Sequence, residues 1–274
     1  MNQADFSVHL PVYIKDRPDF FQQAVDSIFA QTLLPREIVI IEDGPIDAGV
    51  RQIIDRCRLD GRIEINCVQL EKNMGMGFAF SEGVKAAKFD LIARMDADDI
   101  SVPSRFELQF NFMQAHPEID ICGGWLSEFF DDLSDVRQVK KLPELHDDII
   151  RYAKKRSPFN HPTVMYRKTA VIRAGNYNQA RNLEDYNLWV RMLHQGSKAY
   201  NFQTNLLYFR ANENMYARRG GIRYYLDEVR SLREFYRLGF YSFKDFLSQV
   251  VIRFVFRLAP NRLRFWLYNK LLRS

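Results

Sequence analysis

Three carboxylates crowd into four residues at Asp96-Ala97-Asp98-Asp99, directly after the apolar run Leu91-Ile92-Ala93-Arg94-Met95. Held so close, they repel one another and resist ionising together. A divalent cation relieves that repulsion, and oxygen ligands select a hard one, Mg²⁺ or Mn²⁺. The plainer alternative is a solvated acidic turn ahead of a helix that starts near Pro103. A second acidic pair, Glu184-Asp185, opens a stretch in which Leu188, Trp189 and Met192 can face a core. The helix dipole alone favours negative charge in a first turn. A carboxylate held there can also take a proton from a hydroxyl nucleophile, as a general base. Two further places suit a nucleotide. Tyr13, after Pro11-Val12, could stack on a base, and Asp43 could accept from a uracil or guanine N–H; equally, Tyr13 could be core and Asp43 an ordinary turn residue. In Glu71-Lys72-Asn73-Met74-Gly75-Met76-Gly77 a G-x-G occurs, but Phe80 stands where the third glycine of a dinucleotide fingerprint would fall. Those glycines let the backbone turn into a helix, leaving Lys72 available to a nucleotide or simply solvated.

The elements that must position these groups follow from apolar periodicity. Ser7–Tyr13, Glu37–Ile41, Ile63–Leu70 and Leu91–Met95 read as strands. Between them, Pro18–Ala30, Val50–Cys57 and Gly77–Lys88 read as helices. This alternation predicts an α/β fold with a Rossmann-like, mostly parallel sheet flanked by helices. Open sheets of this kind take ligands at the carboxyl ends of their strands, which is where Tyr13, Asp43, Lys72 and Asp96–Asp99 fall. After Pro103 the alternation is irregular. Helices are expected at Arg105–Ala115, Asp147–Lys155, Glu184–Gly196 and Arg223–Arg237, and strands at Ile119–Phe130, Thr163–Tyr166 and Ala199–Phe209.

Charge is unevenly distributed. Ser242–Ser274 holds seven Lys/Arg and one Asp, whereas the other 241 residues hold 32 basic and 33 acidic side chains. A nucleic-acid-binding body would not be so nearly neutral, and no nucleic-acid partner is expected. Three cysteines without C-x-x-C spacing fit a reduced, cytoplasmic compartment rather than a disulfide or zinc framework. Neither a signal peptide nor a membrane-spanning helix is expected.

Taken together, the chain from about Ser7 to Gly221 resembles the family 2 inverting glycosyltransferases of the GT-A fold. The matching pieces are Ser7–Tyr13, Gln31-Thr32 with Pro35, Asp43-Gly44, Asn73-x-Gly75, Asp96-Ala97-Asp98-Asp99 and Glu184-Asp185. Within that family it is similar to small bacterial enzymes of O-antigen and exopolysaccharide synthesis, such as the amylovoran galactosyltransferases. The resemblance implies that Tyr13 and Asp43 hold the base of a UDP-sugar, with Pro11 shaping the pocket and Lys72 and Asn73 at its rim. It implies Asp96 at the ribose or metal shell, Asp98 as ligand to Mn²⁺ or Mg²⁺, and Asp185 as general base with Glu184 beside it. Two departures matter. None of Trp125, Trp189 and Trp266 follows an arginine, so the Q-x-x-R-W signature of processive synthases is missing and single addition is expected. The histidine that relatives place after the strand ending at Arg210 is also missing, and Arg218-Arg219-Gly220-Gly221 could bind the diphosphate instead.

The expected organisation is a catalytic domain over 1–221, with a nucleotide-sugar half to about 99 and an acceptor half beyond it. A basic, amphipathic helical extension over 222–274 follows. In that extension Arg253, Arg257, Arg262, Arg264 and Lys270 interleave with Phe, Trp and Leu, which suits an anionic membrane surface. A helical pair packed on the catalytic domain is the alternative. The expected reaction moves one hexose, Gal or Glc, onto a lipid-linked (undecaprenyl-diphosphate) saccharide at the inner face of the cell membrane. The alternatives are nucleotidyl transfer and a membrane-attached, non-catalytic sugar-nucleotide-binding module.

Overall fold

The computed structural model describes residues 2–130, 132–178, 180, 183–211 and 221–258. Strands β1 (Gln3–Val12), β2 (Leu34–Glu42), β3 (Glu64–Gln69) and β4 (Leu91–Arg94) pair in parallel, in the order β3-β2-β1-β4. Helices α1 (Pro18–Phe29), α2 (Ala48–Asp60) and α3 (Met76–Ala86) make the crossovers. Both faces of the sheet are covered, so its central strands read as continuous apolar runs, with alternate side chains entering different cores. Ile38 and Ile40 join Phe6, Val8, Leu10 and Phe21 on one side; Val39 and Ile41 join Phe80, Val84, Tyr166 and Trp189 on the other. Local signals set the helix ends. Pro18 opens α1, the Asp47 carboxylate caps α2 through the Gly49 amide (2.7 Å), and Gly61 ends α2 in the left-handed region.

The second half departs from simple alternation. β8 (Met165–Arg167) pairs antiparallel with β4 and with β6 (Ile119–Phe129), and β6 runs parallel to β9 (Lys198–Arg210). The two-residue β5 (Ile100–Ser101) closes the order beside β9, and β7 (Val136–Lys140) pairs with β6. Helices α4 (Arg105–Ala115), α5 (His146–Ala153), α6 (Lys168–Arg173) and α7 (Glu184–His194) fill the connections. Arg105, fully enclosed on α4, donates to the Arg94 carbonyl (2.7 Å) and so supports the end of β4 from within. α8 (Ile222–Arg237) packs Leu232 and Phe235 into the same core as Tyr186 and Trp189 of α7, and α9 (Phe243–Leu258) lies against α8. Among the described residues no helix is long and apolar enough to cross a membrane.

One close approach ties β1 to α3. A Cβ placed on Gly83 would collide with the ring of His9 and lie 2.7 Å from Ile41 Cδ1. His9 is buried, edge-on to Phe80 (5.6 Å between centroids). Gly83→Ala should therefore destabilise the fold by about 1–3 kcal/mol, the usual cost of overpacking. A urea midpoint equal to that of the parent would show that His9 can give way.

Candidate active site

The four parallel strands deliver their carboxyl ends side by side. After β1, the Tyr13 amide donates to Asp16 Oδ2 (2.8 Å) and the Asp16 amide to the Tyr13 carbonyl (3.1 Å), a turn closed on itself. Tyr13 is half-buried and Pro11 lies buried within the strand. After β2, Asp43 is buried, and its carboxylate accepts from the amides of Met74 (2.6 Å) and Gly75 (3.2 Å) in the loop after β3. Gly44, at φ +85°, permits this clamp: a Cβ there would sit 2.7 Å from the Asn73 nitrogen. Asn73 in turn donates to the Asp43 carbonyl (3.4 Å), while the side chains of Lys72 and Asn73 face solvent.

After β4 the three carboxylates have different duties. Asp96 pairs with Arg94, which is buried beside the Phe80 ring. Asp99 is enclosed; one oxygen accepts from the Arg210 amide (2.9 Å) and the other has no partner. Burial, then the charges of Asp96 and Asp98, push its carboxyl well above the usual range. Asp98 is half-buried, and burial followed by the charge of Asp96 pushes it up to about 6.

Two residues that the sequence did not single out belong to this cluster. Asp16 is pushed up to about 7, mainly by burial and then by the charges of Asp98 and Asp96. β1 lies beside β4, so the turn after β1 faces the acidic turn, a relation legible only once the strand order is known. Arg210, at the end of β9, donates to the Asp98 carbonyl (3.0 Å) and to Gln23 of α1 (2.6 Å). Its guanidinium lies between the rings of Phe20 (4.0 Å) and Phe129 (4.5 Å). It fixes the backbone from which Asp98 projects.

Glu184 and Asp185, half-buried, form the first turn of α7. The start of α7 meets the start of α3 at Gly77, where an added Cβ would collide with the Asn178 carbonyl and lie 3.1 Å from Glu184 Cγ. The acidic helix start is thereby brought to the loop that Asp43 clamps. Asp185 also lies close enough to Tyr177 for its charge to add to the burial that raises the phenol, while Arg94 acts on the same hydroxyl in the opposite sense. Beneath the site, His161 bonds the Tyr177 hydroxyl (2.9 Å) and meets Phe80 edge-on (4.9 Å). Burial lowers its pKa well below the usual value, so it serves as a neutral packing partner. Arg218 and Arg219 lie outside the described residues.

The donor set is all carboxylate oxygen, one of them a buried oxygen without a partner, which fits a hard cation. Among the described residues no three His, Cys, Asp or Glu side chains converge to hold an ion unaided. That arrangement suits Mg²⁺ or Mn²⁺, which are commonly bound by one or two carboxylates together with substrate phosphates and water. With Asp98 at about 6, a cation must displace a proton below that pH. The affinity of the donor-free protein for Mn²⁺ should then fall by about tenfold per unit below about pH 6. His9, lowered to about 3 chiefly by burial, stays neutral throughout and adds nothing to this slope. Paramagnetic titration with Mn²⁺ across that range checks it; a flat affinity removes Asp98 from the ligand set.

A family model described as Glycosyl transferase family 2 matches residues 7–175. The chain is 37% identical over 268 residues to the Escherichia coli UDP-Gal:alpha-D-GlcNAc-diphosphoundecaprenol beta-1,3-galactosyltransferase, covering 98% of this chain and 96% of that one. It is 36% identical over 265 residues to the amylovoran biosynthesis glycosyltransferase AmsE of Erwinia amylovora, covering 97% and 98%. Among solved structures, Staphylococcus aureus TarS 1–349 in complex with UDP-GlcNAc superimposes with TM-score 0.70 at 17% identity, over 98% of this chain and 76% of that one. The mannosyltransferase PcManGT of Pyrobaculum calidifontis, in complex with GDP-Man and Mn²⁺, does so with TM-score 0.64 at 16% identity, over 93% and 70%.

Proposed function

The chain belongs to glycosyltransferase family 2 and is a glycosyltransferase, and on that premise we propose that it moves one hexose from a UDP-sugar to a hydroxyl of a polyprenyl-diphosphate-linked saccharide, with inversion. The observation that carries this reading is the Gly77 seam, which sets the acidic start of α7 against the loop clamped by Asp43. The name of the Escherichia coli relative, with its UDP-Gal donor and diphosphoundecaprenol acceptor, supports galactose and a lipid-linked acceptor here. Peripheral attachment at the cytoplasmic face of the cell membrane follows from such an acceptor.

In this reading Tyr13 stacks on the uracil, Pro11 shapes the pocket wall, and Asp43 receives the base N–H through a lone pair its amide bonds leave open. Lys72 and Asn73 line the rim. Asp96, fixed by Arg94, meets the ribose, and Asp98 with the donor diphosphate would hold Mn²⁺ or Mg²⁺. When bound, that ion would offset the charge of the leaving diphosphate. Asp185 accepts the proton of the acceptor hydroxyl. The freed oxygen bonds to the anomeric carbon from the face opposite the diphosphate, the carbon–phosphate oxygen bond breaks, and UDP departs. One displacement turns an α-linked donor into a β-glycoside.

A panel of UDP- and GDP-sugars with Mn²⁺ and a polyprenyl-diphosphate-GlcNAc acceptor tests the proposal. UDP-Gal or UDP-Glc should be consumed and give a β-linked disaccharide. An α-linked product, or use of GDP-sugars alone, would overturn it.

A further inference from the structure

α9 is locked in one rotational setting by buried charge. Glu228 of α8, fully enclosed, accepts from Arg253 Nη1 (2.5 Å), Arg257 Nε (2.7 Å) and Arg257 Nη2 (2.8 Å). Arg257 also lies over the Tyr224 ring (4.6 Å). Two of the arginines expected from sequence to meet a membrane are thus turned inward, because the Glu228 charge requires partners once it is removed from water. The face of α9 bearing them must stay against α8.

The opposite face is consequently held outward. It carries Leu247, Val251, Ile252 and Val255, with Phe243 and Phe254 at its edges against Tyr236 and Tyr225 of α8, each of the six between 46 and 62% exposed. Its other exposed members are Lys244 and Ser248, and no carboxylate is among them. A helix free to rotate would bury such a stripe. Beside it on α8, Tyr225 meets Phe254 edge-on (5.6 Å), and Ile222 and Leu226 are exposed as well.

We propose that this stripe inserts into the headgroup boundary of an anionic bilayer, a reading that rests on the lipid-linked acceptor proposed above. Charge complementarity argues for that occupant. The sixteen residues that continue from α9 hold Arg262, Arg264, Lys270 and Arg273 with no acidic residue, and they include Phe265-Trp266-Leu267-Tyr268. Basic and aromatic residues that follow an apolar helix face in the chain match anionic headgroups over acyl chains. The placement also serves the reaction. α8 joins α7 through Tyr186 against Phe235 (5.0 Å) and Asn187 to Glu234 (2.7 Å), so one helix separates the stripe from the helix that begins with Glu184 and Asp185.

The test is flotation of the full chain with phosphatidylglycerol–phosphatidylethanolamine vesicles, alongside the triple variant L247E/V251E/V255E. The parent should float, and retain a floating fraction at about 1 M salt, where exposed charges are screened within about 3 Å. The variant should lose vesicle partitioning by at least about tenfold, with an unchanged melting midpoint and unchanged transfer to a short-chain, water-soluble acceptor. Equal flotation of parent and variant overturns the proposal. So does a parent that is dimeric without vesicles and becomes monomeric in the variant, which would make the stripe a contact between copies. So would backbone amides of the stripe protected from exchange by residues 259–274 in vesicle-free solution. Flotation needs no turnover, so a failed donor panel leaves this result standing.

Discussion

Asp185→Asn should lower kcat by about 10²–10⁴-fold, the usual contribution of a positioned general base, and leave donor binding nearly unchanged. The substitution keeps the size of the side chain and its place in the first turn of α7, and removes only its ability to hold a proton. Glu184 is poorly placed to take over, since its Cγ lies against Gly77 on the donor side of the seam. The loss should therefore fall on kcat rather than on KM for the donor, the mark of an interaction made in the transition state. Single-turnover rates and calorimetric titration with UDP separate the two effects. A turnover within a few fold of the parent, or UDP affinity lost in parallel, would remove Asp185 from the role.

Much of this arrangement is readable in the chain because the first half is regular. Each apolar strand ends in the residue that matters, and the order β3-β2-β1-β4 sets those ends in a row, so Tyr13, Asp43 and Asp96–Asp99 announce themselves locally. Asp16 does not. It sits among Lys15, Arg17 and Asp19, an ordinary polar turn, and only the pairing of β1 with β4 turns it toward Asp98. Arg210 is still further from view, bonded to Asp99 across more than a hundred residues. β5 is two residues long, too short for any periodicity to declare it, whereas the three-residue β8 overlaps the strand expected at Thr163–Tyr166. In the C-terminal helices the composition is plain but the facing is not. Glu228, on a different helix, decides that Arg253 and Arg257 point inward, so the apolar residues and not those two arginines face out.

Asp98→Asn should abolish most of the response of the rate to added divalent cation and reduce kcat/KM by about 10²–10³-fold, the scale of several kcal/mol of lost charge stabilisation. The three neighbouring carboxylates divide the work. Asp96 neutralises the buried Arg94 and Asp99 gives one oxygen to the Arg210 amide, whereas Asp98 is held in place through its backbone, by Arg210, which leaves its carboxylate for the proposed ion. Its pKa is raised, so the ionised form is the one the metal-free fold resists; removing that charge should leave stability at neutral pH equal or slightly higher. Asp96→Asn should behave in the opposite way, costing about 3–5 kcal/mol of stability because it strands a buried guanidinium. Urea midpoints and rates measured against Mn²⁺ concentration distinguish the two variants. If Asp98→Asn kept its Mn²⁺ response, or unfolded as readily as Asp96→Asn, the carboxylate would be part of the scaffold, and the ion would have to be held by another group of the cluster.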